Sequence, residues 1–214
     1  MSSTDLEYNT GTSVWDGGTS PYAIGSKKLG MWLFIIADSL TFASLLVTYS
    51  YLRSATDNWP RPFHSWPSIT MATVMTFCLL TSSVTMVFGV AAASRNERKR
   101  AAMWIVFTIL GGLAFVVLHL NEWRGLIEEG VTPFKNPWGV PLFGGAFFTL
   151  TGLHMTHVII GCLYLSVIAF AFGRGKFSFE DVEVSGLYWH FVDLVWMFIF
   201  PMVYLLSNST VGAH

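Results

Sequence analysis

The sequence predicts an all-α protein, an integral membrane bundle of five transmembrane helices. Three observations carry that expectation. Of 214 residues, 53% are hydrophobic and only 12% are charged, about half the ~25% charge of an ordinary soluble domain. Five apolar stretches meet the requirement of roughly 20 residues for crossing a hydrocarbon core about 30 Å thick. None alternates with the period of two expected of a barrel strand. That composition excludes disorder and a free-standing soluble enzyme. A net charge of −1 leaves no global basic field to attract nucleic acid.

The elements follow in order. Residues 1–28 are polar and rich in Gly, Ser and Thr. They read as a flexible cytoplasmic tail and lack the charged start and short apolar core of a cleavable signal. The spans are 29–52, 68–93, 101–120, 142–172 and 187–206, followed by a short outer tail at 207–214. The second span is rich in hydroxyls (Thr70, Thr73, Thr76, Thr81, Ser82, Ser83, Thr85), which can bond their own i−4 carbonyls or a neighbouring helix. The fourth carries small residues at Gly145, Thr149, Gly152 and Thr156. Their spacing of four, three and four puts them on one face, an expected site of close helix packing. Pro201 predicts a kink in the outer half of the last span. The two cysteines, Cys78 and Cys162, lie inside apolar runs and read as small hydrophobes.

Orientation comes from the loops. Eight Lys and Arg (Lys27, Lys28, Arg95, Arg98, Lys99, Arg100, Arg174, Lys176) fall on the amino-terminal side, against four (Arg53, Arg61, Arg124, Lys135) on the other. The cationic side tends to stay in the cytoplasm, so the amino terminus is expected inside and the carboxyl terminus outside. Trp32, Trp104 and Trp189 fall near inner helix ends, and Trp59, Trp66, Trp123 and Trp138 near outer ones, the level that indoles favour.

Few ionisable residues lie within the spans: Asp38, His119, His154, His157, His190 and Asp193. A charge near the bilayer centre costs at least ~2.5–3.5 kcal/mol, so each must be paired or neutral. Asp38 lies about 14 Å into the first span at 1.5 Å per residue, near the midplane. His154 and His157 share that depth and, three apart, one helix face. A buried bond from Asp38 to one of them is expected, or a protonated Asp38 bonded to a serine or threonine. His190 and Asp193 either pair, face a wet crevice, or serve as a packing contact between helices. The ligand inventory argues against a bound metal: His154 and His157 share one helix, and the Glu-x-x-His pairs of a di-metal site are missing. No nucleophile–base arrangement or phosphate-cradling glycine loop stands out. No catalytic residue is assigned.

Several stretches resemble one family, subunit III of the haem–copper oxidases, cytochrome c oxidase in particular. Gly30-Met31-Trp32-Leu33-Phe34-Ile35-Ile36-Ala37-Asp38 is similar to its Gly-Met-x-Leu-Phe-Ile-x-x-Glu segment. Thr151-Gly152-Leu153-His154-Met155-Thr156-His157-Val158 resembles its Thr-Gly-Phe-His-Gly-x-His-Val signature. Tyr188-Trp189-His190-Phe191-Val192-Asp193-Leu194-Val195-Trp196 is similar to its Trp-Tyr-Trp-His-Phe-Val-Asp-x-Val-Trp, and Glu122-Trp123 stands where the family has Glu-Tyr. The likeness is collinear over 28–206. Two departures accompany it. Longer members have seven helices, and this chain is expected to lack the first two, one arm of a lipid-filled cleft; the family's intramembrane Glu is Asp38 here.

The resemblance implies an accessory subunit without a redox cofactor of its own, the haems and coppers residing in subunits I and II. It implies packing beside subunit I, phospholipid binding, and support of proton uptake and stable turnover in a bacterial-type cytoplasmic membrane. The buried polar set is then Asp38, His154, His157, His190, Asp193 and Glu122. Arg174 and Lys176 become candidates for lipid phosphates, or ordinary helix anchors. A quinol oxidase or a nitric-oxide-reductase-associated homologue fits the same architecture. An independent membrane haem protein or proton transporter is the contrasting class.

Overall fold

The computed structural model describes residues 26–63 and 68–206; the tails at 1–25 and 207–214 lie outside the described residues. Five helices are long and apolar enough to cross a membrane. They are α1 (Ser26–Ala55), α2 (Thr70–Ser94), α3 (Arg98–Glu128), α4 (Pro141–Gly173) and α5 (Phe179–Ile199). A π-helical turn, Phe200–Leu205, continues α5. Helices α2, α3, α4 and α5 pack in a closed circuit of neighbours, and α1 lies outside it against α4 and α5. Only Phe42 and Tyr49 of α1 are buried. The protein is therefore an all-α membrane bundle of five helices.

Helix boundaries run past the apolar spans. Residues 26–28, read as tail, open α1. Helix α3 continues from the expected end at 120 to Glu128, about 12 Å further at 1.5 Å per residue. Helix α5 starts at Phe179 rather than 187. The reason is a capping box: the Ser178 backbone N–H and hydroxyl both reach Asp181 Oδ2 at 2.9 Å. Acids in that first turn suit the positive helix end while diluting the hydropathy signal. Trp189 consequently lies ten residues inside α5 and only 1% exposed, not at the interface.

Two tryptophans of α5 organise the interior, because an indole is large, apolar and has one N–H to satisfy. Trp189 donates to Ser82 Oγ at 3.1 Å, and Trp196 donates to Thr76 Oγ1 at 2.9 Å. Those hydroxyls in turn donate to Leu79 and Ala72 carbonyls of their own helix. The hydroxyl-rich span thus bonds in both expected ways at once. Trp189 fits because two glycines make room. A Cβ on Gly112 would meet Trp189 Cη2 at 2.5 Å, and one on Gly161 would meet its Cζ3 at 3.0 Å.

The small-residue stripe needs correction. Thr149 and Thr156 face outward, and of that stripe only Gly152 approaches another helix, against Trp123. The buried face of α4 lies about one position away, along Gly144, Thr151, His154, Val158, Gly161 and Leu165. Spacing alone fixes which residues share a face but not where that face points.

Asn96 turns the chain between α2 and α3 with φ 57. Backbone N–H groups of Asn96 and Glu97 bond the Ala93 and Ala92 carbonyls at 2.9 and 3.0 Å. A left-handed residue bearing a Cβ costs roughly 1–2 kcal/mol, least for Asn. Asn96→Ala is expected to lower stability by about 1 kcal/mol, and Asn96→Gly to leave it unchanged or higher. Unfolding in mixed micelles would show the order.

Candidate functional site

The polar groups buried in the bundle fall into three sets. The first joins α1 to α4. His157 Nε2 lies 3.2 Å from Asp38 Oδ2, the side chains being 13% and 16% exposed. The distance suits an ion pair, although Oδ2 has no hydrogen-bond partner of good geometry. His157 Nδ1 lies 2.8 Å from the Leu153 carbonyl. A carbonyl only accepts, so Nδ1 carries its proton. Nε2 is left to face Asp38 Oδ2, so neither the acid nor the imidazole stands alone among apolar side chains. Phe42 closes the site edge-on, 5.2 Å from the His157 ring.

His154 belongs to a second set, turned into the interior. It is fully buried, stacks on Trp196 at 5.2 Å, and meets the edge of Phe115 at 5.6 Å. The expected choice between the two histidines as neighbour of Asp38 therefore falls on His157. His119 is also fully buried and stacks on Phe115 at 5.5 Å. Its Nδ1 lies 3.5 Å from Glu122 Oε2, which accepts a hydrogen bond from the Tyr204 hydroxyl at 2.7 Å.

The third set joins α2 to α5. His190 Nδ1 lies 2.6 Å from Ser83 Oγ. The same hydroxyl lies beside Asp193, so Ser83 stands between two residues that sequence spacing allowed to pair directly. His190 also lines a crevice with Val87, Val90 and Gly186. That lining is more apolar than the wet crevice considered from sequence.

Ser83, Trp196 and Tyr204 are site residues the sequence reading did not single out. Ser83 was one hydroxyl among seven. Tyr204 follows Pro201, whose missing N–H removes an α-helical bond. The chain answers with a π turn closed by the Leu206 N–H on the Pro201 carbonyl at 3.0 Å, which changes the register beyond it.

At the helix ends, Lys27 pairs with Asp181 at 2.6 Å and Lys28 with Glu183 at 2.7 Å, fastening α1 to the start of α5. Exposed pairs of this kind contribute little on their own, being screened by water and salt. The Arg174 guanidinium lies over the Phe170 ring at 3.8 Å, while Lys176 is exposed. Among the described residues, no three His, Cys, Asp or Glu side chains form a group able to hold a metal.

The fold and these sets define a multi-pass membrane protein that shelters carboxyl and imidazole groups between its helices. A model of the family described as cytochrome c oxidase subunit III matches residues 12–208. The cytochrome c oxidase subunit 3 of Bacillus sp. (strain PS3) is 34% identical over 187 residues, covering 85% of this chain and 86% of that one. The quinol oxidase subunit 3 of Bacillus spizizenii is 34% identical over 182 residues, 84% of this chain and 86% of that one. The cytochrome bo(3) ubiquinol oxidase subunit 3 of Pseudomonas aeruginosa is 33% identical over 188 residues, 86% of each. The chain belongs to the cytochrome c oxidase subunit III family.

Proposed function

We propose that the chain serves as the non-catalytic subunit III of a proton-pumping respiratory oxidase, with cytochrome c oxidase as the first reading. The observation that carries this is the family match from residue 12 to 208. In this reading the haems and coppers reside in subunits I and II, and this chain binds none. It packs beside subunit I in a bacterial-type cytoplasmic membrane, amino terminus inside, and supports assembly, lipid binding and proton uptake. The loop cations favour that orientation. The buried sets around Asp38, His154, His157, His190, Asp193 and Glu122 hold the bundle in register beside the catalytic subunit. Arg174 and Lys176 sit where lipid phosphates lie, although Arg174 already covers Phe170.

The relatives named quinol oxidase subunit 3 favour a second reading with the same architecture and a different electron donor. Co-purification through a tag on this chain, followed by identification of the partner chains, separates the two: subunit II of a cytochrome c oxidase carries a copper-binding motif. Asp38→Ala removes the partner of His157. It is expected to shorten sustained turnover several-fold, or weaken assembly, with every haem absorption band intact. Loss of haem from an otherwise assembled complex would contradict the accessory role.

A further inference from the structure

At the end of the bundle where α3 finishes and α2 begins, a cavity of about 210 Å³ is lined by Ser68, Met71, Asn121, Glu122 and Glu129 among others. Glu122 is its buried carboxyl, with a side chain only 7% exposed. One oxygen accepts from Tyr204; the other, Oε1, is buried with no hydrogen-bond partner. Leaving such an atom unmatched is costly, so a native structure that keeps one calls for an explanation.

The surroundings say which chemistry would satisfy it. Glu129, seven residues on, is exposed, so the cavity has one carboxyl within and one at its mouth. Asn121 and Ser68 add an amide and a hydroxyl, and among the described residues the wall carries the Met71 thioether but no imidazole or thiol. The last turn of α3 contains no basic residue, and its neighbour Arg124 is engaged with Glu128 at 2.9 Å. A helix carboxyl end carries about half a negative charge and favours a cation. Apart from the weak Met71 sulfur, the side-chain donors are oxygens, two of them carboxylates, which suits a hard divalent ion of the calcium type, one that takes six to eight oxygens in adaptable geometry and fills remaining positions with water.

We propose that this cavity is a binding site for a hydrated alkaline-earth cation, with Glu122 as its inner ligand and Glu129 as its outer one. The ion would tie the end of α3 to the start of α2 and, through Tyr204, to the π turn. Such a site needs no partner subunit and no particular electron donor, so it stands or falls separately from the oxidase role.

The test uses the full-length chain in nanodiscs and terbium(III) luminescence sensitised by the protein's indoles. One saturable terbium site per chain is expected, displaced by calcium and not by potassium. Glu122→Gln should weaken it at least tenfold and Glu129→Gln several-fold, while Glu128→Gln, outside the cavity and paired with Arg124, leaves it unchanged. Absence of a calcium-displaceable site, or wild-type affinity in helical, folded Glu122→Gln protein, overturns the proposal. Should Glu122→Gln fail to fold, Glu129→Gln decides: its carboxyl is exposed, and unchanged affinity there overturns the proposal equally.

Discussion

Trp196→Ala is expected to destabilise the bundle by about 3–5 kcal/mol, the range for removing a large buried aromatic. Trp196 is fully buried and touches several members of the interior polar set at once. It stacks on His154, lies edge-on to Phe115 at 4.7 Å and to His119 at 5.7 Å, and donates its indole N–H to Thr76. Truncation opens a cavity walled by two imidazoles and leaves Thr76 without its donor. Trp196→Phe keeps most of the volume and loses only the hydrogen bond, so it should cost about 1 kcal/mol. Unfolding in mixed micelles would measure both. Equal losses would mean that the hydrogen bond, rather than the packing, dominates.

Gly112→Val should cost about 3 kcal/mol by the opposite route, overpacking. Even a single Cβ there would lie 2.5 Å from Trp189 Cη2 and 2.8 Å from Cys162 Sγ, well inside contact distance. Neither neighbour can retreat easily: Trp189 is tethered to Ser82, and Cys162 belongs to the packed face of α4. Gly125→Ala supplies the contrast. Nothing lies within 4 Å of its added Cβ, and exchanging glycine for alanine within a helix gains up to ~1 kcal/mol. The two substitutions should shift the unfolding midpoint in opposite directions. Trp189→Phe combined with Gly112→Val should recover part of the loss, because the sites touch and their effects do not add.

The five-helix architecture was legible in the sequence because a bilayer demands long apolar runs and tolerates little else. The relation of Asp38 to the fourth span was legible too, since rise per residue fixes depth. Which imidazole it would meet was not. His154 and His157 share a face closely enough for either, and the choice rests on how far α4 is rotated, which is set by Trp189 seated against Gly161. The same rotation explains why Thr149 and Thr156 turn outward while Thr151 is buried. Tyr204 was hidden for another reason. It reaches Glu122 through a π turn, and a proline in sequence announces a broken bond without saying how the backbone will repair it.

The link between α2 and α3, only Arg95, Asn96 and Glu97, bears on how the molecule is made. Two spans so closely joined cannot wander apart once synthesised. Gly111 of one already abuts Ser82 of the other, and Thr85 reaches Thr108 at 2.8 Å. Neighbours in sequence find each other with little loss of chain entropy. This couple is therefore expected to form a seed before α4 and α5 arrive, and the outlying first helix, which packs against those two, to settle last.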